Sequence, residues 1–192
     1  MNERSAMSDL LEIRRNLAMV GSFRGYKATP VAFSAAVAFV AGAIQVWWKP
    51  GPYEFVALWT AAAIVGFGAN LACIAREYSM SSRRWERSLA VVALSDLSPA
   101  ILAGGLLTLA LATTHRIEIL PGLWMSLFGT GILSSRRHLP FACTSMGGVY
   151  LLAGTATLFY LPGDGALAPY VMAGVFGCGQ LLLSVLLART AS

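Results

Sequence analysis

The sequence predicts an all-α integral membrane protein: six transmembrane helices arranged as three helical hairpins, with an N-terminal amphipathic helix before them. Three observations lead there. Apolar residues form 57% of the 192-residue chain and charged residues only 12%, about half the share of charge in a soluble domain. Long apolar stretches are each broken near the middle by a short loop containing Pro or Gly. The Lys and Arg residues gather between those stretches. A water-soluble fold with a mean hydropathy of +0.66 would lack polar surface, whereas lipid solvates an apolar exterior.

Residues 1–28 read as a cytoplasmic N-terminal amphipathic segment. Leu10, Ile13, Leu17 and Val20 recur three and four apart, on one helical face, and Ser8 is placed to cap its start. Such a helix lies on the inner leaflet or docks beneath the bundle; a short dimerisation seam is the alternative. The polar start and the length of the first apolar run argue against a cleavable signal.

Residues 29–189 read as the six-helix bundle. A crossing takes roughly 20 apolar residues. The first span runs from Thr29 to Trp47 and is ended by Lys49-Pro50-Gly51-Pro52; the second runs from Glu54 to Ala75. A polar stretch, Arg76 to Arg87, follows. The third ends near Thr114, the fourth covers Leu120 to Leu133, and the fifth Leu139 to Leu161. Pro162-Gly163-Asp164-Gly165 turns the chain into the sixth, Ala168 to Ala188. Barrel strands would alternate polar and apolar over about 10 residues; these runs do not.

The start of the third span has two placements. In one, it begins near Leu89 and carries Asp96 at membrane depth, at a cost of about 2.5–3.5 kcal/mol. In the other, the chain lies along the interface as far as Leu94, and the span starts with Ser98 as N-cap and Pro99 at the first helical position. Asp96 then sits near water at the positive end of a helix. The Ser-Pro pair before a clean apolar run favours the second.

Orientation follows from charge. Of the fourteen Lys and Arg residues, only Lys49 and Arg116 fall in the loops of the other side. The rest, including Arg14, Arg15, Arg83, Arg84, Arg136 and Arg137, share one side, which the positive-inside rule makes cytoplasmic. Both termini are then cytoplasmic. The clusters lie within a few residues of span ends, so they read as topology signals with an affinity for anionic lipid, and not as a nucleic-acid surface.

A weak repeat marks the even-numbered spans: Gly66-Phe67-Gly68, Gly129-Thr130-Gly131 and Gly177-Cys178-Gly179. Small residues let membrane helices approach closely, so Gly66, Gly68, Gly129, Gly131, Gly177 and Gly179 are expected to pack helices, with the even helices around a centre. Asn70 and Gln180 follow two of these motifs and, with Asp96, are the candidate polar intramembrane residues. Bonding across helices is the first expectation for Asn70 and Gln180, and lining a polar passage the second. Cys73, Cys143 and Cys178 read as small packing residues.

The missing groups narrow the chemistry. No span contains His or Lys, and no metal-ligand spacing or nucleophile–His pair occurs. No cofactor and no catalytic or metal-binding residues are expected, and the chain reads as a non-enzyme. Leu11–Gly25, Ser98–Leu109 and Leu120–Gly131 (LPGLWMSLFGTG) resemble a group of bacterial multi-pass membrane proteins with no assigned activity. That resemblance implies a bacterial inner-membrane protein of six spans; the His of the last span in that group is replaced in this region by Gln180. The expected role is an accessory subunit or membrane sensor acting through the basic cytoplasmic face, alone as a homo-oligomer or with a membrane-complex partner. A small transporter or channel is the alternative.

Overall fold

A computed structural model describes residues 28–80, 84–138, 141–161 and 163–191. The amphipathic segment expected before the first span, with Arg14 and Arg15, lies outside them, as does Arg83. All regular structure among the described residues is helical. Helix α1 covers Ala28–Trp48, α2 Pro52–Met80, α3 Arg84–Thr113, α4 Leu120–Ser134 and α5 Phe141–Tyr160. The last helix, α6 (169–191), is α-helical over Pro169–Met172, π-helical over Ala173–Cys178 and α-helical again over Gly179–Ala191. Short 3-10 turns precede α4 (Ile117–Ile119), follow it (Ser135–His138) and precede α6 (Gly163–Leu167).

Five segments are long and apolar enough to cross a membrane: Ala28–Trp48, Pro52–Arg76, Ile117–Ser134, Phe141–Tyr160 and Pro169–Arg189. At 1.5 Å per residue they reach roughly 27 to 38 Å, which matches a hydrocarbon core of about 30 Å. A sixth apolar stretch, Ser98–Thr113 in α3, is shorter. The outward faces are apolar as well. Phe33, Val40, Ile44, Ile64, Leu102, Leu106, Leu152 and Phe159 are all exposed, a surface that water would not tolerate but acyl chains solvate.

Local sequence explains the helix ends. Gly51 is the N-cap of α2, Pro52 follows where its missing N–H costs nothing, and the Glu54 carboxylate accepts from Gly51 N at 2.9 Å. Lys49 and His115 take left-handed backbone, φ 51° and 57°, to leave α1 and α3. Gly174, Gly177 and Gly179 lower the cost of departing from α geometry around the π segment.

The third span departs from expectation. Ser98 is not an N-cap: α3 runs unbroken from Arg84 to Thr113 with Pro99 inside it. Proline removes one backbone N–H, yet Leu, Ala, Glu and Arg on its N-terminal side propagate helix well enough to carry the ladder across. The polar stretch 76–87 is also more helical than a loop. It contains the end of α2, at Met80, and the start of α3, at Arg84.

Neighbouring helices pack in the order α3, α4, α5, α6, α1, α2. Two clusters fill the interior. One, toward the end that carries Lys49 and Arg116, gathers Ala38, Ala41, Phe55, Trp59, Ile117, Leu120, Met125, Val171 and Met172. The other, toward Arg136, gathers Val31, Ile132, Cys143, Met146, Tyr150, Leu183 and Leu187.

Candidate functional site

At the Lys49 end, buried Gln45 ties three elements together. Its Nε2 donates to Leu167 O at 2.5 Å, in the turn before α6, and its Oε1 accepts from Trp59 Nε1 at 2.8 Å, on α2. Nearby, Tyr53 Oη lies 2.6 Å from His115 Nδ1 and donates to Ala112 O at 3.3 Å, joining the start of α2 to the end of α3. The turns following α1, α3 and α5 therefore meet at one end. Phe55 stacks on Trp124 with centroids 6.3 Å apart, and Trp124 Nε1 donates to Thr108 Oγ1 at 2.9 Å.

Deeper, a second polar knot joins α1 and α2. Asn70 Nδ2 donates to Gly66 O at 2.8 Å, to Ser34 Oγ at 3.0 Å and more weakly to Pro30 O at 3.4 Å. Ser34 Oγ is itself within 3.2 Å of Gly66 O and 3.1 Å of Pro30 O. Asn70 is thus an interhelical bond, and its donors face protein. Gln180 is half-buried on α6, and no hydrogen bond joins it to Asn70 among the described residues. Asp96 belongs to α3, but its side chain lies outside the described residues.

The glycine motifs divide. Gly66 faces Ser34: a Cβ there would be 3.2 Å from its hydroxyl. On Gly129 it would meet Gly147 O at 2.6 Å and Leu151 N at 2.7 Å; on Gly177, the Phe39 ring at 2.6 Å; on Gly179, the Tyr150 ring at 2.7 Å. Gly131 is buried and its carbonyl accepts from Ser135 Oγ at 3.1 Å. Gly68 has nothing within 4 Å and packs nothing. These even-helix glycines do not face one another but the odd-numbered helices α1 and α5, although Phe55, Trp59, Met125, Val171 and Met172 of the even helices share one buried cluster. Helices, like gears, close on whichever neighbour presents a matching groove, and here those neighbours precede or follow in the ring. Sequence reasoning missed the partners Gly122, Gly147 and Gly154. A Cβ on Gly154 would reach Gly122 O at 2.5 Å and Ser126 N at 2.7 Å. The signal was present: 122 and 129, like 147 and 154, are seven apart, which puts each pair on one helix face.

Where α4, α5 and α6 meet, Phe128, Tyr150 and Phe176 form an aromatic triangle with centroids 5.0 to 5.5 Å apart. Among the described residues the Tyr150 hydroxyl is buried with no hydrogen-bond partner. A buried unpaired hydroxyl opposes folding, so Tyr150→Phe is expected to raise stability by about 1 kcal/mol, measured by unfolding in mixed micelles.

Among the described residues, the basic residues other than Lys49 and Arg116 fall at the Arg136 end. Arg76 and Arg136 are exposed, and so is Arg189. Arg84 opens α3 and Arg137 lies in the Ser135–His138 turn, their side chains outside the described residues. Among the described residues, Cys143 is buried, Cys73 half-buried and Cys178 exposed, all as free thiols.

The described residues form helices and turns, and five of those helices are apolar and long enough to span, which fits a multi-pass membrane protein. No protein-family model, curated protein or solved structure matches it.

Proposed function

We propose that the chain is a six-span protein of the bacterial inner membrane, folded as three hairpins with both termini cytoplasmic. It acts by binding and not by catalysis, as an accessory subunit or a sensor that passes membrane state to a cytoplasmic partner. The observation that carries this reading is the division of its polar groups. Gln45, Trp59, Asn70, Ser34, Thr108 and Trp124 are committed to bonds between elements of the bundle. Exposed charges stand at the ends, with Arg76 and Arg136 together at one of them. Anionic lipid and an acidic protein surface are the two things such a face attracts.

The test is affinity purification from native membranes in mild detergent, with the chain tagged. A stoichiometric membrane-complex partner is expected, or a homo-oligomer, and Arg136→Glu with Arg137→Glu is expected to cut recovery at least fivefold at unchanged expression. Recovery of a lone monomer from wild-type membranes defeats the reading. Single cysteines at positions 49 and 136, labelled from either side of sealed vesicles, test the sidedness.

A second reading, a small transporter or channel, is favoured by one observation: Gln180 is half-buried and its side chain makes no hydrogen bond among the described residues. Gln180→Leu and Asp96→Asn proteins with unaltered flux in liposomes would remove it.

A further inference from the structure

At the Lys49 end a groove of about 380 Å³ opens between the end of α1 and the turn before α6, lined by Gln45, Val46, Lys49, Pro50, Leu167 and Pro169. Four of those residues are apolar. The other two are donors. Lys49 is exposed and makes no ion pair among the described residues. Gln45 is 5% exposed; its amide nitrogen carries two N–H bonds, of which one goes to Leu167 O. One donor is left over on a buried side chain in the wall of the groove, beside a cation. The same bonds hold the groove open, because Gln45 clamps the Leu167 turn to α1 and is itself gripped by Trp59.

Two further observations bear on what enters. Lys49 holds φ at 51°, a backbone that glycine would adopt more cheaply. Lysine there puts an ammonium on an end of the bundle where, among the described residues, Arg116 pairs with Glu118 at 3.8 Å. The flanks are aromatic: Trp47 is 87% exposed, Tyr170 70%, and Trp48 is exposed too. Trp and Tyr collect at the level of lipid headgroups, so the groove stands where a headgroup meets its acyl chains.

We propose that this groove is a binding site for an anionic phospholipid. The phosphate accepts from the Lys49 ammonium and the free Gln45 N–H, and the chains lie along Val46, Leu167 and Pro169. The inference rests on the membrane reading but not on the identity of any protein partner. It places an anion site at the end opposite the arginine cluster, where charge counting alone would put none.

The full chain, reconstituted in nanodiscs of phosphatidylcholine with one-fifth phosphatidylglycerol, is the material for the test. Lipid retained on the protein is read by native mass spectrometry after detergent exchange. Wild type is expected to retain phosphatidylglycerol over phosphatidylcholine. Lys49→Gly, which relaxes the left-handed backbone and so leaves the fold intact, is expected to lower that preference at least fivefold; Lys49→Arg restores most of it. Arg136→Ala serves as the control at the far end and is expected to leave the preference in place. The site is refuted if Lys49→Gly retains the anionic lipid as wild type does, or if the preference follows Arg136 instead. Inorganic phosphate that raises the melting temperature of wild type but not of Lys49→Gly, with no lipid preference, makes it a site for a soluble anion and overturns the lipid assignment. A chain that alkaline carbonate strips from native membranes overturns the membrane reading as well. A chain that stays in the membrane yet shows no Lys49-dependent preference overturns this inference alone.

Discussion

Gly129→Ala and Gly154→Ala are each expected to destabilise the protein by about 1–3 kcal/mol, toward the upper figure, whereas Gly148→Ala and Gly68→Ala are expected to be neutral or to stabilise it slightly. The sign turns on what the new methyl meets. At Gly129 it would lie 2.6 Å from Gly147 O and 2.7 Å from Leu151 N; at Gly154, 2.5 Å from Gly122 O and 2.7 Å from Ser126 N. Those atoms are backbone, so no rotamer can move aside, and relief requires α4 and α5 to separate. Separation forfeits van der Waals contact along the crossing, and in lipid that contact is the main force holding helices together. At Gly148 and Gly68 nothing lies within 4 Å. There the substitution only removes backbone freedom from the unfolded chain, which favours the helix by up to roughly 1 kcal/mol. Unfolding of the four variants by SDS in mixed micelles measures the difference. A Gly129→Ala protein as stable as Gly148→Ala would mean that α4 and α5 do not cross at these glycines.

That contrast marks where sequence reading succeeds and where it stops. Class and the positions of five apolar segments were legible because they depend on composition and length, which a bilayer constrains one segment at a time. Predicted and observed ends of α1 differ by one residue each, Thr29–Trp47 against Ala28–Trp48. The second span was expected from Glu54, and α2 begins two residues earlier, at Pro52. Helix partnership was not legible in the same way. It depends on which faces meet, and the Gly-x-Gly motif places its two glycines about 200° apart on a helix, so both cannot face one neighbour. Gly66 meets Ser34 while Gly68 stands open for this reason. The spacing of seven in 122/129 and 147/154 obeys the helical period, and those are the glycines that touch.

Pro99 shows a different limit. A Ser-Pro pair before an apolar run is a helix-start signal in water, where an unpaired carbonyl finds solvent. Within a long apolar helix the same pair is tolerated when neighbours and Ser hydroxyls satisfy the freed groups, and α3 continues through it. The polar residues divide along similar lines. Asn70 was expected to bond across helices or to line a passage, and its contacts with Ser34 and Pro30 match the first. Gln45 drew no role from the sequence, because its partners, Trp59 and Leu167, are fourteen and 122 positions away and nothing local announces them.

Gln45→Leu is expected to cost about 2 kcal/mol, more than the mean of roughly 0.6 kcal/mol for a polar contact between membrane helices. The reason is that one side chain serves two partners, the buried Trp59 and the part-buried Leu167 O. Leucine fills a similar volume, so the loss is in polarity and not in packing. It strands Trp59 Nε1, whose ring is 4% exposed, and leaves Leu167 O without its donor. Trp59 Nε1 cannot turn to water without moving α1, since Trp59 sits in the cluster with Ala38, Ala41, Phe55 and Val171. A double-mutant cycle with Trp59→Phe separates the two bonds. Phenylalanine removes the indole N–H, so Gln45→Leu made on that background strands only Leu167 O and is expected to cost about half as much. The cycle is read as SDS unfolding free energies in one micelle composition. Full additivity, with the two substitutions costing the sum of their separate effects, would show that the Gln45–Trp59 bond contributes nothing and that Gln45 acts only through Leu167 O in the turn before α6.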